Sequence, residues 1–198
     1  IFGGTGKDSL YGDGGDDTVY GGAHADKLYG GLDNDELYGE GGNDKIFGGD
    51  GDDLMSAGDG YDRLVGEAGS DTLLGGSGKD YMIGGEDDDV LSGGGHEDTF
   101  VFEGAFGNDT ISDFRNDIVK LNSFRAFNGG ARINMDDLLL TQQGSDVLLE
   151  LDFDNDGNAE IIFTANNEAD FAGDSIPGAE RIPGLEIWSS ADDGDVMV

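Results

Sequence analysis

The stretch Gly3-Gly4-Thr5-Gly6-Lys7-Asp8-Ser9-Leu10-Tyr11 is the first copy of a nine-residue unit, G-G-x-G-x-D-x-U-x, with U a large apolar residue. The unit recurs eleven times in unbroken register from Gly3 to Val101. Its sixth position is aspartate in every copy: Asp8, Asp17, Asp26, Asp35, Asp44, Asp53, Asp62, Asp71, Asp80, Asp89 and Asp98. The eighth is always apolar (Leu10, Val19, Leu28, Leu37, Ile46, Met55, Leu64, Leu73, Met82, Leu91, Phe100), and the first is glycine everywhere except at Ala57. Three rows held in step for this long mark a stacked-repeat architecture.

Six residues with up to three glycines suit a tight turn with positive-φ positions and inward-facing carbonyls, and three residues around one apolar centre suit a short strand. Two such turn-strand units make an 18-residue coil. Parallel strands of successive coils then stack about 4.8 Å apart and bury the apolar row in two ladders. Leu10, Leu28, Ile46, Leu64, Met82 and Phe100 form one; Val19, Leu37, Met55, Leu73 and Leu91 form the other.

The same stacking sets each turn over the turn 18 residues earlier. It pairs Asp8/Asp26, Asp26/Asp44, Asp44/Asp62, Asp62/Asp80 and Asp80/Asp98 on one edge, and Asp17/Asp35, Asp35/Asp53, Asp53/Asp71 and Asp71/Asp89 on the other. Each of these nine gaps brings two carboxylates and the glycine-loop carbonyls together, an all-oxygen set that suits Ca²⁺ better than the stricter Mg²⁺. The rival reading, aspartates that only make Asx-turns, leaves stacked like charges without a counter-ion. The fourth position carries His24, Asp33, Asp87 and His96 instead of glycine; both residue types tolerate left-handed φ, so the turn is expected to survive with weaker neighbouring sites.

Composition agrees. Forty-four acidic residues face ten basic ones, a net charge of −34 that disfavours nucleic acid and anionic membranes and calls for cations. Without cysteine, only hard oxygen ligands remain, and two histidines (His24, His96) cannot build a zinc cluster. No apolar run approaches the roughly 18 residues that span a bilayer. No H-E-x-x-H motif occurs, and the carboxylates are committed to turns, so no catalytic site is expected. The chain begins at Ile1 and is read as part of a longer protein.

After Phe102 the glycine period fades. Gly107-Asn108-Asp109-Thr110-Ile111-Ser112-Asp113-Phe114 reads as a degenerate half-unit, with Asp109 extending the Asp89 edge by one site. Asp137 to Thr141, Asp146 to Phe153 and Glu160 to Thr164 read as strands, the last two joined by a turn at Asp154-Asn155-Asp156-Gly157. Asp152, Asp154, Asp156 and Gly157 also open like an EF-hand loop, but its closing glutamate would fall at Phe163 and the match fails. The ninth position reads Tyr11, Tyr20, Tyr29, Tyr38 and Phe47, a row that suits cross-strand stacking or a sugar-binding surface, with stacking favoured.

The nonapeptide resembles that of RTX (repeats-in-toxin) proteins. The stretch Asp109 to Phe114, the hairpin after Gln142-Gln143-Gly144 and the Ala169-Asp170-Phe171 region look like the C-terminal caps of RTX proteins exported by type I secretion, such as the serralysin-type proteases. The final Asp195-Val196-Met197-Val198 is similar to the family's terminal export motif. The resemblance implies an all-β fold: a parallel β-roll, a right-handed solenoid over residues 1–102, then a capping β domain at 103–176 and a tail at 177–198. It implies about nine or ten calcium ions on the eleven row aspartates and Asp109, and a bacterial protein that meets type I secretion machinery, is secreted and folds on extracellular calcium. It also implies an upstream catalytic or adhesive domain. The alternative function is a carbohydrate-binding or adhesin module. The resemblance assigns no role to the segment Ile182 to Ser190, with Trp188.

Overall fold

The computed structural model describes residues 1–103, 107–113 and 117–122, and the strand segments 138–143, 146–151, 161–165, 173–176 and 179–181. The repeats form twelve strands: β1 (Phe2–Thr5), β2 (Ser9–Gly14), β3 (Thr18–Ala23), β4 (Lys27–Leu32), β5 (Glu36–Gly41), β6 (Lys45–Asp50), β7 (Leu54–Asp59), β8 (Arg63–Ala68), β9 (Thr72–Ser77), β10 (Tyr81–Glu86), β11 (Val90–Gly95) and β12 (Thr99–Glu103). They alternate between two parallel sheets, β1-β3-β5-β7-β9-β11 and β2-β4-β6-β8-β10-β12. Register advances by 18 residues per coil, as in Leu28↔Ile46 and Leu37↔Met55, so the chain is a parallel β-solenoid, the β-roll, of about six coils. Among the described residues there is no helix, and none long and apolar enough to cross a membrane.

The eighth-position residues Val19, Leu28, Leu37, Ile46, Met55, Leu64, Leu73, Met82, Leu91 and Phe100 are wholly buried between the sheets. At about 1.5–3 kcal/mol for each such side chain, this double ladder is the main apolar stabilisation of a core one residue thick per strand. Each strand runs longer than the expected three residues. Positions seven to nine continue through positions one to three of the next unit, because glycines there still pair across coils, as in Gly31↔Gly49.

Only positions four to six therefore form the turn. Left-handed φ falls at the fourth position in all units, including His24, Asp33, Asp87 and His96 as expected, and also at the second position in all units. There Asp13, Glu40 and Glu67 accept a conformation with φ of 70–85° that glycine supplies without strain.

Both sheets continue past the repeats. β13 (Asp109–Ile111) pairs with β11 and β14 (Ile118–Asn122) with β12, both parallel. β15 (Leu138–Gln143), β16 (Asp146–Leu151) and β17 (Ile161–Ala165) then add an antiparallel set whose last strand lies parallel to β13. These match the three strands read from the sequence to within two residues where they are described. β18 (Gly173–Ile176) and β19 (Ala179–Arg181) form a separate hairpin. The turn at Asp154–Gly157, the Ala169–Phe171 region and the tail from 182 to 198 lie outside the described residues.

Candidate metal centre

All nine expected aspartate pairs are brought together. In each, the backbone N–H of the earlier aspartate donates to Oδ1 of the aspartate 18 residues later, at 2.7–2.9 Å from Asp8/Asp26 through Asp80/Asp98. The aspartate carbonyl accepts in turn from the seventh-position N–H of the next coil, as in Lys27 to Asp8 at 3.0 Å. The carboxylate thus links two coils, and the Asx-type role is one half of its function.

The other oxygen has no such role. Oδ2 of Asp8, Asp26, Asp35, Asp44, Asp53, Asp62, Asp71, Asp80, Asp89, Asp98 and Asp109 is buried and receives no hydrogen bond within the protein. Eleven unsatisfied carboxylate oxygens in stacked array is an arrangement that folded proteins avoid unless a cation or a proton meets it. Burial is the main cause pushing the carboxyls up, followed by the charges of neighbouring coils: Asp71 and Asp89 to about 8, Asp98 and Asp109 to about 7, and Asp44, Asp53 and Asp62 to about 6. Backbone N–H donation opposes the rise at each.

The first-position glycine makes room for this oxygen. A methyl group at Gly75 would stand 2.6 Å from Asp80 Oδ2 and 2.7 Å from the Gly93 carbonyl oxygen. Second- and fourth-position carbonyls also close on the next coil, as Gly4 O does on Gly22 and Gly42 O on Gly60. Among the described residues no three acidic or histidine side chains converge, so a cation here draws on paired carboxylates and backbone carbonyls. That donor set, hard oxygen with unsatisfied carboxylates, fits calcium. Ala57, with its methyl buried at the first position, is the one departure, beside Asp62.

Three features escaped the sequence reading. Asp117 Oδ1 accepts from Asp98 N–H at 2.9 Å, closing its edge as Asp109 closes the other by accepting from Asp89 at 2.9 Å. The run Asn116-Asp117-Ile118-Val119 repeats the pattern of Asn43-Asp44-Lys45-Ile46 and could have revealed it. Asp113 accepts from both Gly93 and Gly94 N–H, capping the last full turn. A fifth-position ladder runs outside the main row: Asp16, Asn34 and Asp52 accept from the N–H of Asn34, Asp52 and Ser70 in turn.

The ninth-position aromatics stack within sheets. Phe2–Tyr20–Tyr38 and Tyr11–Tyr29–Phe47 have ring centroids 4.8–5.0 Å apart and planes within 12°. Their faces cover one another, which leaves edges and hydroxyls outward, so stacking is what this row does.

Comparison with known proteins agrees with the repeat. The model of the RTX calcium-binding nonapeptide repeat matches in overlapping windows from residue 2 to residue 111, more than half of the chain. No curated protein matches the sequence. Among solved structures, the extracellular lipase LipA of Serratia marcescens is 18% identical, over 75% of this chain and 37% of that one, with a TM-score of 0.27. A subunit of the mannuronan C5-epimerase of Azotobacter vinelandii is 20% identical, over 97% of this chain and 94% of that one, with a TM-score of 0.31. The chain thus spans well under half the length of the lipase. On its repeats and the match to their model, this chain belongs to the family of RTX calcium-binding nonapeptide repeats, a non-catalytic structural module that binds Ca²⁺.

Proposed function

We propose that this chain is a calcium-triggered folding module of a larger protein exported by type I secretion. Residues 1–102 would bind the ions, 103–176 cap the open end, and 177–198 carry the export signal. The row of buried Oδ2 atoms carries the reading: without cations it opposes the fold, and with them it joins successive coils. Asp8, Asp17, Asp26, Asp35, Asp44, Asp53, Asp62, Asp71, Asp80, Asp89, Asp98 and Asp109 would hold the ions together with turn carbonyls, nine or ten in all. Bound calcium supplies positive charge where the fold stacks negative charge. In a cytosol poor in calcium the chain stays unfolded and fit for threading; outside, at roughly millimolar calcium, extracellular-grade sites fill and folding follows.

Two experiments test this. Equilibrium dialysis against labelled calcium should retain nine or ten ions per chain; one or two, or equal retention of magnesium, contradicts the site assignment. Removal of Asp195 to Val198 should abolish export of a fused reporter by a type I system without changing calcium retention. Undiminished export overturns the tail's role alone.

A further inference from the structure

The first position of the unit is glycine everywhere but at Ala57, and the other units show what that methyl occupies. At eight of the glycines a Cβ would stand within 3.0 Å of two oxygens at once: Oδ2 of the row aspartate five residues on, and the first-position carbonyl one coil on. A Cβ at Gly39, for example, would meet Asp44 Oδ2 at 2.5 Å and the Ala57 carbonyl oxygen at 2.6 Å. β7 and β9 keep the same 18-residue register on either side of Ala57 (Ser56↔Leu74, Gly58↔Gly76), so its methyl enters the cradle of Asp62 Oδ2 and the Gly75 carbonyl. Ala57 is wholly buried there. Asp62 cannot swing aside, because Oδ1 of its planar carboxylate holds the Asp44 N–H at 2.7 Å. Its Oδ2 stays buried and receives no hydrogen bond.

We propose that Ala57 makes the Asp62/Asp80 gap the weakest calcium site of the roll and the last to fill. The inference rests on the calcium reading above and adds a residue that ranks the sites. Calcium gathers six to eight oxygens at roughly 2.3–2.6 Å. A methyl carbon wedged between two of those oxygens takes the space in which they could converge on an ion and offers no lone pair in return. The even edge has no such break, since Gly12, Gly30, Gly48 and Gly66 leave its cradles open. Below saturation, calcium therefore joins the even edge throughout and the odd edge in two blocks, Asp8 to Asp62 and Asp80 to Asp98, with a seam at Ala57. An alanine serving only as a better strand residue makes the opposite prediction. Its replacement by glycine would then loosen the strand and delete a buried methyl, with no gain in calcium affinity.

The test is equilibrium dialysis of the full chain against labelled calcium over a range of free concentrations, with circular dichroism at each to establish that the roll is folded. The native chain should take up one ion about tenfold or more weakly than the rest. Ala57→Gly should bring that ion into the main phase and leave no late one. Gly48→Ala, which puts a methyl against Asp53 Oδ2 and the Gly66 carbonyl at a backbone conformation open to alanine, should add a second late ion. Should Gly48→Ala fail to fold, the Ala57→Gly isotherm decides alone. A native chain without a late ion, or an Ala57→Gly isotherm identical to the native one, overturns the proposal and leaves the calcium reading standing. Retention of only one or two ions by native and variant chains alike overturns the calcium reading and the proposal with it.

Discussion

The two turn edges of the roll share one interior and carry opposite exteriors. Both hold the same buried aspartate ladder, with the same N–H donation to Oδ1 and the same orphaned Oδ2. Outside it, positions three to five, where strand passes into turn, carry Asp16, Asp33, Asp50, Asp52, Glu86, Asp87 and Asp88 on the even edge; those on the odd edge carry Asp59 and Glu97 beside Lys7, Lys79, His24 and His96. The difference is felt inside. After burial, the rise at Asp71 and Asp89 draws on the row carboxylates Asp53, Asp89 and Asp109 and then on the outer Asp52, Asp87 and Asp88, whereas at Asp80, which burial also raises, His96 opposes the rise. The buried row is thus fixed by the coil geometry, and the outer rows are free to set how strongly each edge demands a cation.

The largest expected effect is collective and breaks both edges together. In the calcium-free fold the buried carboxyls titrate at about 6 to 8 against about 3.8 when unfolded, so the folded state holds the extra protons. The stability of the calcium-free roll is therefore fullest below about pH 4 and is lost as pH rises through 6 to 8, the loss being greatest at Asp71 and Asp89, whose carboxyls titrate highest. Circular dichroism of calcium-stripped chain should show more β signal at pH 5 than at pH 8. A signal that grows with pH contradicts the burial of those carboxyls.

Single substitutions sharpen the comparison. Asp71→Ala removes the acceptor of the Asp53 N–H and should cost about 1–3 kcal/mol in calcium, as read by urea unfolding. Gly66→Ala drives a methyl into Asp71 Oδ2 and the Gly84 carbonyl and should cost about 1–3 kcal/mol. If it is neutral, the crowding beside Oδ2 is not real. The smallest effect belongs to the exposed ladder: Asp52→Ala loses the bond from Ser70 N–H, which water can replace, and should cost no more than about 0.5 kcal/mol. Equal losses at Asp52 and Asp71 would erase the distinction between outer and inner rows.

The inner row was legible because its chemistry allows only one residue. A buried acceptor that also leaves an oxygen for a cation must be a short carboxylate, so aspartate recurs at every sixth position and the 18-residue pairing follows. The fifth-position ladder was hidden because its acceptor can be Asp16, Asn34 or Asp52 alike, which leaves no residue signature. Asp117 was hidden because the glycine that marks Asp109, at Gly107, has no counterpart in the run Asp113 to Asn116, and its closing bond to Asp98 spans 19 residues rather than 18. The strands were read short because glycine was taken as turn-forming, whereas here second-position glycines pair across coils and first-position glycines lie within the strand against the row aspartate.

The central claim is that cation binding and folding are one event. Far-ultraviolet circular dichroism of the chain at neutral pH, first in chelator and then titrated separately with calcium and magnesium, tests it most directly. The account predicts a disordered spectrum in chelator, a cooperative rise of β signal with calcium, and no comparable rise with magnesium at equal concentration. A full β spectrum in chelator at neutral pH would contradict it.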